Sequence, residues 1–140
     1  MSTLTDKEVG EARTAHIISD LFENHPRQRN FNALDVSVKT EADPGDEPDI
    51  LFDDLMKWLK DNGYVRFDQD MEGSAFDVSL TEKGYAVLGS KPPGLDKPLS
   101  VKFKEALKLS VNEGRRAALG KLSGALAEAI VFYFKTPTAN

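Results

Sequence analysis

The first apolar pattern along the chain is helical. Thr5-x-x-Glu8 reads as a capping box, and behind it Ala12, Ala15, Ile18, Leu21 and Phe22 recur at helical spacing until His25-Pro26. Arg27, Arg29 and Asn30 make a short polar connection. Leu34, Val36 and Val38 then alternate with Asp35 and Ser37, the period of a half-buried strand. Residues 40–48 carry two prolines, one glycine and four acids, which predicts a loop. Pro48 suits the first turn of a second helix that faces Leu51, Leu55, Trp58 and Leu59 inward and stops at Asn62-Gly63.

The period then changes again. Val65 and Phe67 face one way, as do Phe76, Val78 and Leu80, so Tyr64–Leu80 predicts a hairpin with its tip at Glu72-Gly73. Thr81 caps a short helix over 82–88. Residues 89–98 hold three prolines and two glycines and read as a linker, and 99–134 is helical in pattern throughout. The expected organisation is a compact domain over 1–90, a linker over 91–98, a helical extension over 99–134 and a tail over 135–140. The expected class is α+β, mainly α, with a small antiparallel sheet.

Charge divides the chain at the same place. Residues 1–90 hold 9 Lys/Arg against 19 Asp/Glu, whereas residues 91–140 hold 9 against 4. An acidic domain is therefore followed by a basic helical block. There is no cysteine among the 140 residues, which excludes disulfides and thiolate metal sites. The start of the chain lacks a basic region followed by an apolar stretch, and the longest purely apolar run, Ala129–Phe134, is far short of the roughly 20 residues of a spanning helix. A soluble, cytoplasmic protein is expected.

The element order over residues 5–89 carries a resemblance. Trp58-Leu59-x-x-Asn62-Gly63-Tyr64-Val65, leading into a hairpin that leaves through Leu80-Thr81-Glu82-Lys83-Gly84-Tyr85, is similar to the recognition helix, wing and L-T-x-x-G exit of winged-helix regulators of the MarR and PadR type. The resemblance implies a winged-helix domain, and through it DNA binding. Two departures stand against it. The helix that normally separates the first strand from the recognition helix is missing from the pattern, since Asp43-Pro44-Gly45-Asp46-Glu47-Pro48 cannot be regular helix. The recognition helix would begin with Asp49, Asp53 and Asp54, and the wing carries Asp68, Asp70, Glu72 and Asp77. DNA affinity rests on cations that displace counterions from phosphates, so these two elements would repel a duplex.

Chemical motifs are weak. The wing sequence Asp68-x-Asp70-x-Glu72-Gly73 echoes a calcium loop, but Ser79 stands where a bidentate glutamate is needed, so a solvated hairpin tip is the better reading. The run 41–54 holds seven acids and is expected to be a solvated loop rather than an ion site. Gly114 to Lys121 fails as a phosphate loop, with one residue too many and Leu122 in place of Ser or Thr. His16 and His25 are expected to be structural. The sequence predicts no enzyme, no metal and no cofactor.

The basic block is the more informative segment. As one helix turning about 100° per residue, it places Phe103, Leu107, Ser110, Gly114 and Ala118 on one face, with Ser110, Gly114 and Ala118 as a ridge of small residues. Lys102, Lys104, Lys108, Arg115 and Arg116 surround it as a basic contact surface. Small residues let another helix approach closely. Self-association through Phe103, Leu107, Ser110, Gly114, Ala118, Leu122, Leu126 and Ile130 is expected ahead of packing within the chain. Membrane binding is disfavoured because Ala, Ser and Gly bury little area on a bilayer. The expected role is a non-enzymatic regulatory or adaptor protein, a homodimer with an unknown protein partner. The alternative is a DNA-binding regulator of winged-helix type.

Overall fold

The computed structural model describes residues 4–42, 50–109 and 113–135, and side chains as far as Ala129. Its elements are α1 (Asp6–Glu23), β1 (Arg29–Asn32), α2 (Ala33–Thr40), α3 (Ile50–Asp61), β2 (Val65–Arg66), β3 (Gln69–Met71), β4 (Ser74–Leu80), α4 (Glu82–Gly89), α5 (Leu99–Leu107) and α6 (Glu113–Lys135). The described chain is thus mainly helical with one small antiparallel sheet, the α+β class expected from the pattern.

α1 is the central helix. The predicted capping box is present: Thr5 Oγ1 accepts the Glu8 amide at 3.2 Å and Glu8 Oε1 accepts the Thr5 amide at 2.9 Å. Val9, Ala12, Ala15, Ile17, Ile18 and Leu21 are buried along it, and it contacts each of α2 to α6 and β4. The described buried side chains, from Val9 to Leu126, form one hydrophobic cluster. Burial of such side chains at roughly 25 cal/mol per Å² drives the assembly.

Residues 33–40 are helix, not the predicted strand. Asn32 Oδ1 accepts the Asp35 amide at 2.8 Å and so caps α2, while Asp35 pairs with Lys39 one turn on at 3.3 Å. Three apolar residues spaced by two fit a short helix as well as a strand, and here only Val36 is buried. The strand lies just upstream, at Arg29–Asn32, where Phe31 faces the core. α2 therefore occupies the place before α3 that the sequence pattern left without a helix. Residues 43–49, which include most of the predicted loop and its acids, lie outside the described residues.

α3 buries Phe52, Met56 and Leu59. The expected inward face is thus rotated: Leu51 and Leu55 are half-buried, and Trp58 is exposed and tilted over Tyr64. β4 lies at the middle of the sheet, pairing with β1, β2 and β3. Between the pairs Arg29–Val78 and Phe31–Ala75, β1 advances by two residues and β4 by three. The extra residue is a bulge at Asp77, whose φ is +56° and whose amide donates to Asn30 Oδ1 at 2.9 Å. Ala75, Val78 and Leu80 consequently face inward and Phe76 is only half-buried, which corrects the strict alternation expected.

The Leu80-Thr81-x-x-Gly84 exit has a steric cause. Thr81 Oγ1 accepts the Gly84 amide at 2.9 Å, and a Cβ at Gly84 would sit 2.3 Å from the Tyr64 carbonyl oxygen. Only glycine lets α4 start against that carbonyl.

The long helix expected over 99–134 is two helices. The amides of Lys108 and Leu109 bond back to Glu105 and Ala106, closing α5 in a turn before α6 begins at Glu113. α5 and α6 pack on each other, on α1 and on α4.

Candidate functional site

The basic block meets the acidic one inside the molecule. Lys104 pairs with Glu23 at the end of α1 at 2.6 Å, and Arg116 approaches Glu8 near its start at 3.5 Å. Lys102 lies 3.4 Å from Asp96 and 3.6 Å from Glu105. The hydrogen bond from Lys104 holds the Glu23 carboxyl below the usual carboxylate range, and the Thr5 amide chiefly does the same for Glu8. Arg115, expected on an exposed basic surface, is 3% exposed and donates to the Thr40 carbonyl. Its burial lowers its pKa, with Glu41 opposing that shift. Of the five predicted surface cations, Lys108 is exposed and its charge helps to hold Glu23 ionised.

A second buried arginine completes this junction, and sequence reading missed it. Arg13 is fully buried in α1 and donates from Nε to the Ala42 carbonyl at 3.1 Å. Two guanidinium groups, one from α1 and one from α6, thus meet the carbonyls at the end of α2. That is the negative end of a helix dipole, where fixed cations are favoured. The signal was the position of Arg13 within the apolar stripe, four residues after Val9 and four before Ile17.

The predicted self-association residues are divided. Phe103, Leu122 and Leu126 are 0%, 4% and 2% exposed and belong to the chain's own core. Leu107 and Ala118 are partly buried against it, and Gly114 is exposed. Ser110 and the Ile130 side chain lie outside the described residues. With α5 closed before Gly114, the small-residue ridge does not run along one continuous helix.

The structure brings forward a groove instead. α4, residues 90–93 and α6 enclose about 600 Å³ lined by Ala86, Val87, Pro92, Pro93, Ala125 and Ala129, with Ser90, Lys91 and Glu128 as its polar members. Its walls are small apolar side chains, so the groove has room that its own lining does not fill.

The histidines have ordinary structural places. His16 is half-buried, edge-on to Phe31 at 6.4 Å, and burial lowers its pKa. His25 stacks on Tyr85 at 4.2 Å. Among the described residues no three His, Asp or Glu side chains gather as a metal site, and no helix is long and apolar enough to cross a membrane. Comparison with protein families, with curated proteins and with solved structures gives no match.

Proposed function

We propose that this chain is a non-enzymatic, winged-helix-like regulatory or adaptor protein of the cytoplasm that acts through protein contacts and forms a homodimer. The groove between α4 and α6 carries the dimer. Its apolar lining lies beside the start of Ala129–Phe134, the longest apolar run of the sequence. A two-fold axis across this region would set the run of each copy at the groove of the other, the self-complementary arrangement an isologous interface requires. The interface is thereby moved from the ridge expected at Gly114 to the far half of α6.

The order helix, strand, helix, helix, hairpin and helix over 6–89 supports the winged-helix reading. The outward residues of α3 favour protein over nucleic acid: Ile50, Asp54, Lys57, Trp58, Lys60 and Asp61 hold two acids, two lysines and two apolar groups. The counterion release that drives DNA binding needs a net positive surface, and this one is balanced.

Light scattering tests the dimer. The wild type at about 100 µM, a concentration that populates any dimer of micromolar affinity, should have twice the chain mass. Ala86→Glu, an exposed substitution in the groove wall, should return it to the monomer mass. A wild type that is monomeric at that concentration sinks the proposal.

A further inference from the structure

We infer that the corner where the β3–β4 turn meets α2 and α3 is a docking surface for a basic, amphipathic segment of a partner protein. The corner is built around one residue, Gly73. The Gly73 amide donates to Asp53 Oδ1 on α3 at 2.8 Å, and the Gly73 carbonyl accepts the Ala33 amide at the start of α2 at 2.9 Å. Gly73 itself has φ +79°, the left-handed turn position that glycine occupies without strain. One residue, bonded through both its amide and its carbonyl, therefore ties the turn to α2 and α3.

The four most exposed large apolar side chains of the described chain belong to the elements that meet at Gly73. Leu34, next to Ala33, is 76% exposed; Met71, two residues before Gly73, is 68% exposed; Ile50, one turn before Asp53, is 58% exposed. Val38, one turn beyond Leu34 on α2, is 67% exposed. A single exposed leucine needs no explanation, but a gathered set does. α2 makes the point most clearly, since it buries Val36 and Thr40 and leaves Leu34 and Val38 in solvent.

The charge around the corner selects the partner. Asp70, Glu72 and Asp54 are exposed beside Met71, Gly73 and Ile50. Lys39, the cation of α2, is held by Asp35. An acidic rim around an apolar centre repels nucleic acid and anionic lipid and attracts a segment with leucine-like groups on one face and lysines beside them. Because the corner is already bonded, little ordering opposes binding. The surface uses none of the groove residues, so a monomeric wild type would remove the dimer and leave this inference standing.

The probe is a synthetic helical peptide of leucine and lysine at amphipathic spacing, with a second peptide in which glutamate replaces lysine. Titrated into isotope-labelled protein, the lysine peptide should shift amide resonances of residues 33–38, 50–54 and 70–74, and the glutamate peptide should not bind. Leu34→Ser with Val38→Ser should weaken binding at least about tenfold, as removal of central apolar contacts does, while the unfolding transition stays in place. Asp70→Asn with Glu72→Gln should weaken it and flatten its dependence on salt. Three results would each overturn the inference: unchanged binding by the serine variant, shifts that map elsewhere, or a loss of dimer mass in that variant, which would make the corner the self-interface.

Discussion

At its C-terminal end α2 delivers the carbonyls of Thr40 and Ala42 into a dry interior, where Arg115 and Arg13 meet them. At its N-terminal end the same eight-residue helix is capped by Asn32, tied to the Gly73 turn, and lined by Leu34 in solvent. One end is closed by charges brought from far along the chain. The other is closed by local hydrogen bonds and stays open to partners. The difference assigns the charge split its physical place. At the sealed end the basic half reaches the acidic half through Arg115, while Asp54, Asp70 and Glu72 lie exposed near the open end.

The sealed end offers the largest effect. Arg115→Ala strands the Thr40 carbonyl and empties the space of a buried side chain, and should lower the unfolding free energy by about 3 kcal/mol. Arg115→Met keeps the apolar stem and should cost about 2 kcal/mol, the part due to the lost donor. Urea denaturation of both variants measures the two parts. Because the site joins residues 75 apart in sequence, the loss should be cooperative over the whole chain rather than a fraying of α6. A cost under about 0.5 kcal/mol, the range of ordinary surface changes, would show that the arginine is not a structural tie and would break the comparison.

At the open end the corresponding tie is Asp53. Asp53→Ala removes the acceptor of the Gly73 amide, which solvent then reaches, so the cost should be about 1 kcal/mol. Amide exchange of Gly73 should quicken in this variant while that of the buried helix α1 does not, and uniform acceleration would contradict a local tie.

Local devices were legible in the sequence, and distant ones were not. The Thr5–Glu8 box, the Thr81 cap and the turns at Gly63 and Gly73 each need only neighbouring residues, and each lies where the pattern put it. α2 escaped because five residues of alternation do not separate a strand from a helix with one buried position. The bulge at Asp77 depends on the Asn30 side chain across the sheet, which no period in β4 reveals. The end of α5 left no mark in the pattern, since neither glycine nor proline stands at its closing turn, Lys108-Leu109. The groove was beyond sequence altogether, since it exists only where α4 and residues 90–93 lie beside α6. Arg115 reads as a surface cation and Arg13 belongs to no motif, because the carbonyls that justify their burial are 75 and 29 residues away.

The smallest effect concerns pH, and it too separates the two ends. His16 rests against Phe31, one residue before the Asn32 cap, and desolvation lowers its pKa from its ordinary value near 6.5. Asp20 and Asp35 act to raise it, and Lys39 and Arg29 to lower it further. A histidine whose pKa is lower in the folded chain binds protons more readily once unfolded. Its contribution to stability is therefore fully present above the ordinary value and is lost as pH falls from there through the folded value. The Arg115 guanidinium at the sealed end, although burial lowers its pKa, stays protonated across this whole range and contributes no such dependence. Urea midpoints compared at about pH 7.5 and about pH 5, on either side of an ordinary histidine, should fall further for the wild type than for His16→Gln, in which the other titrating groups are retained. If the two proteins lose stability in parallel, the open end is not the pH-sensitive one, and the acid response must be assigned to carboxylates elsewhere.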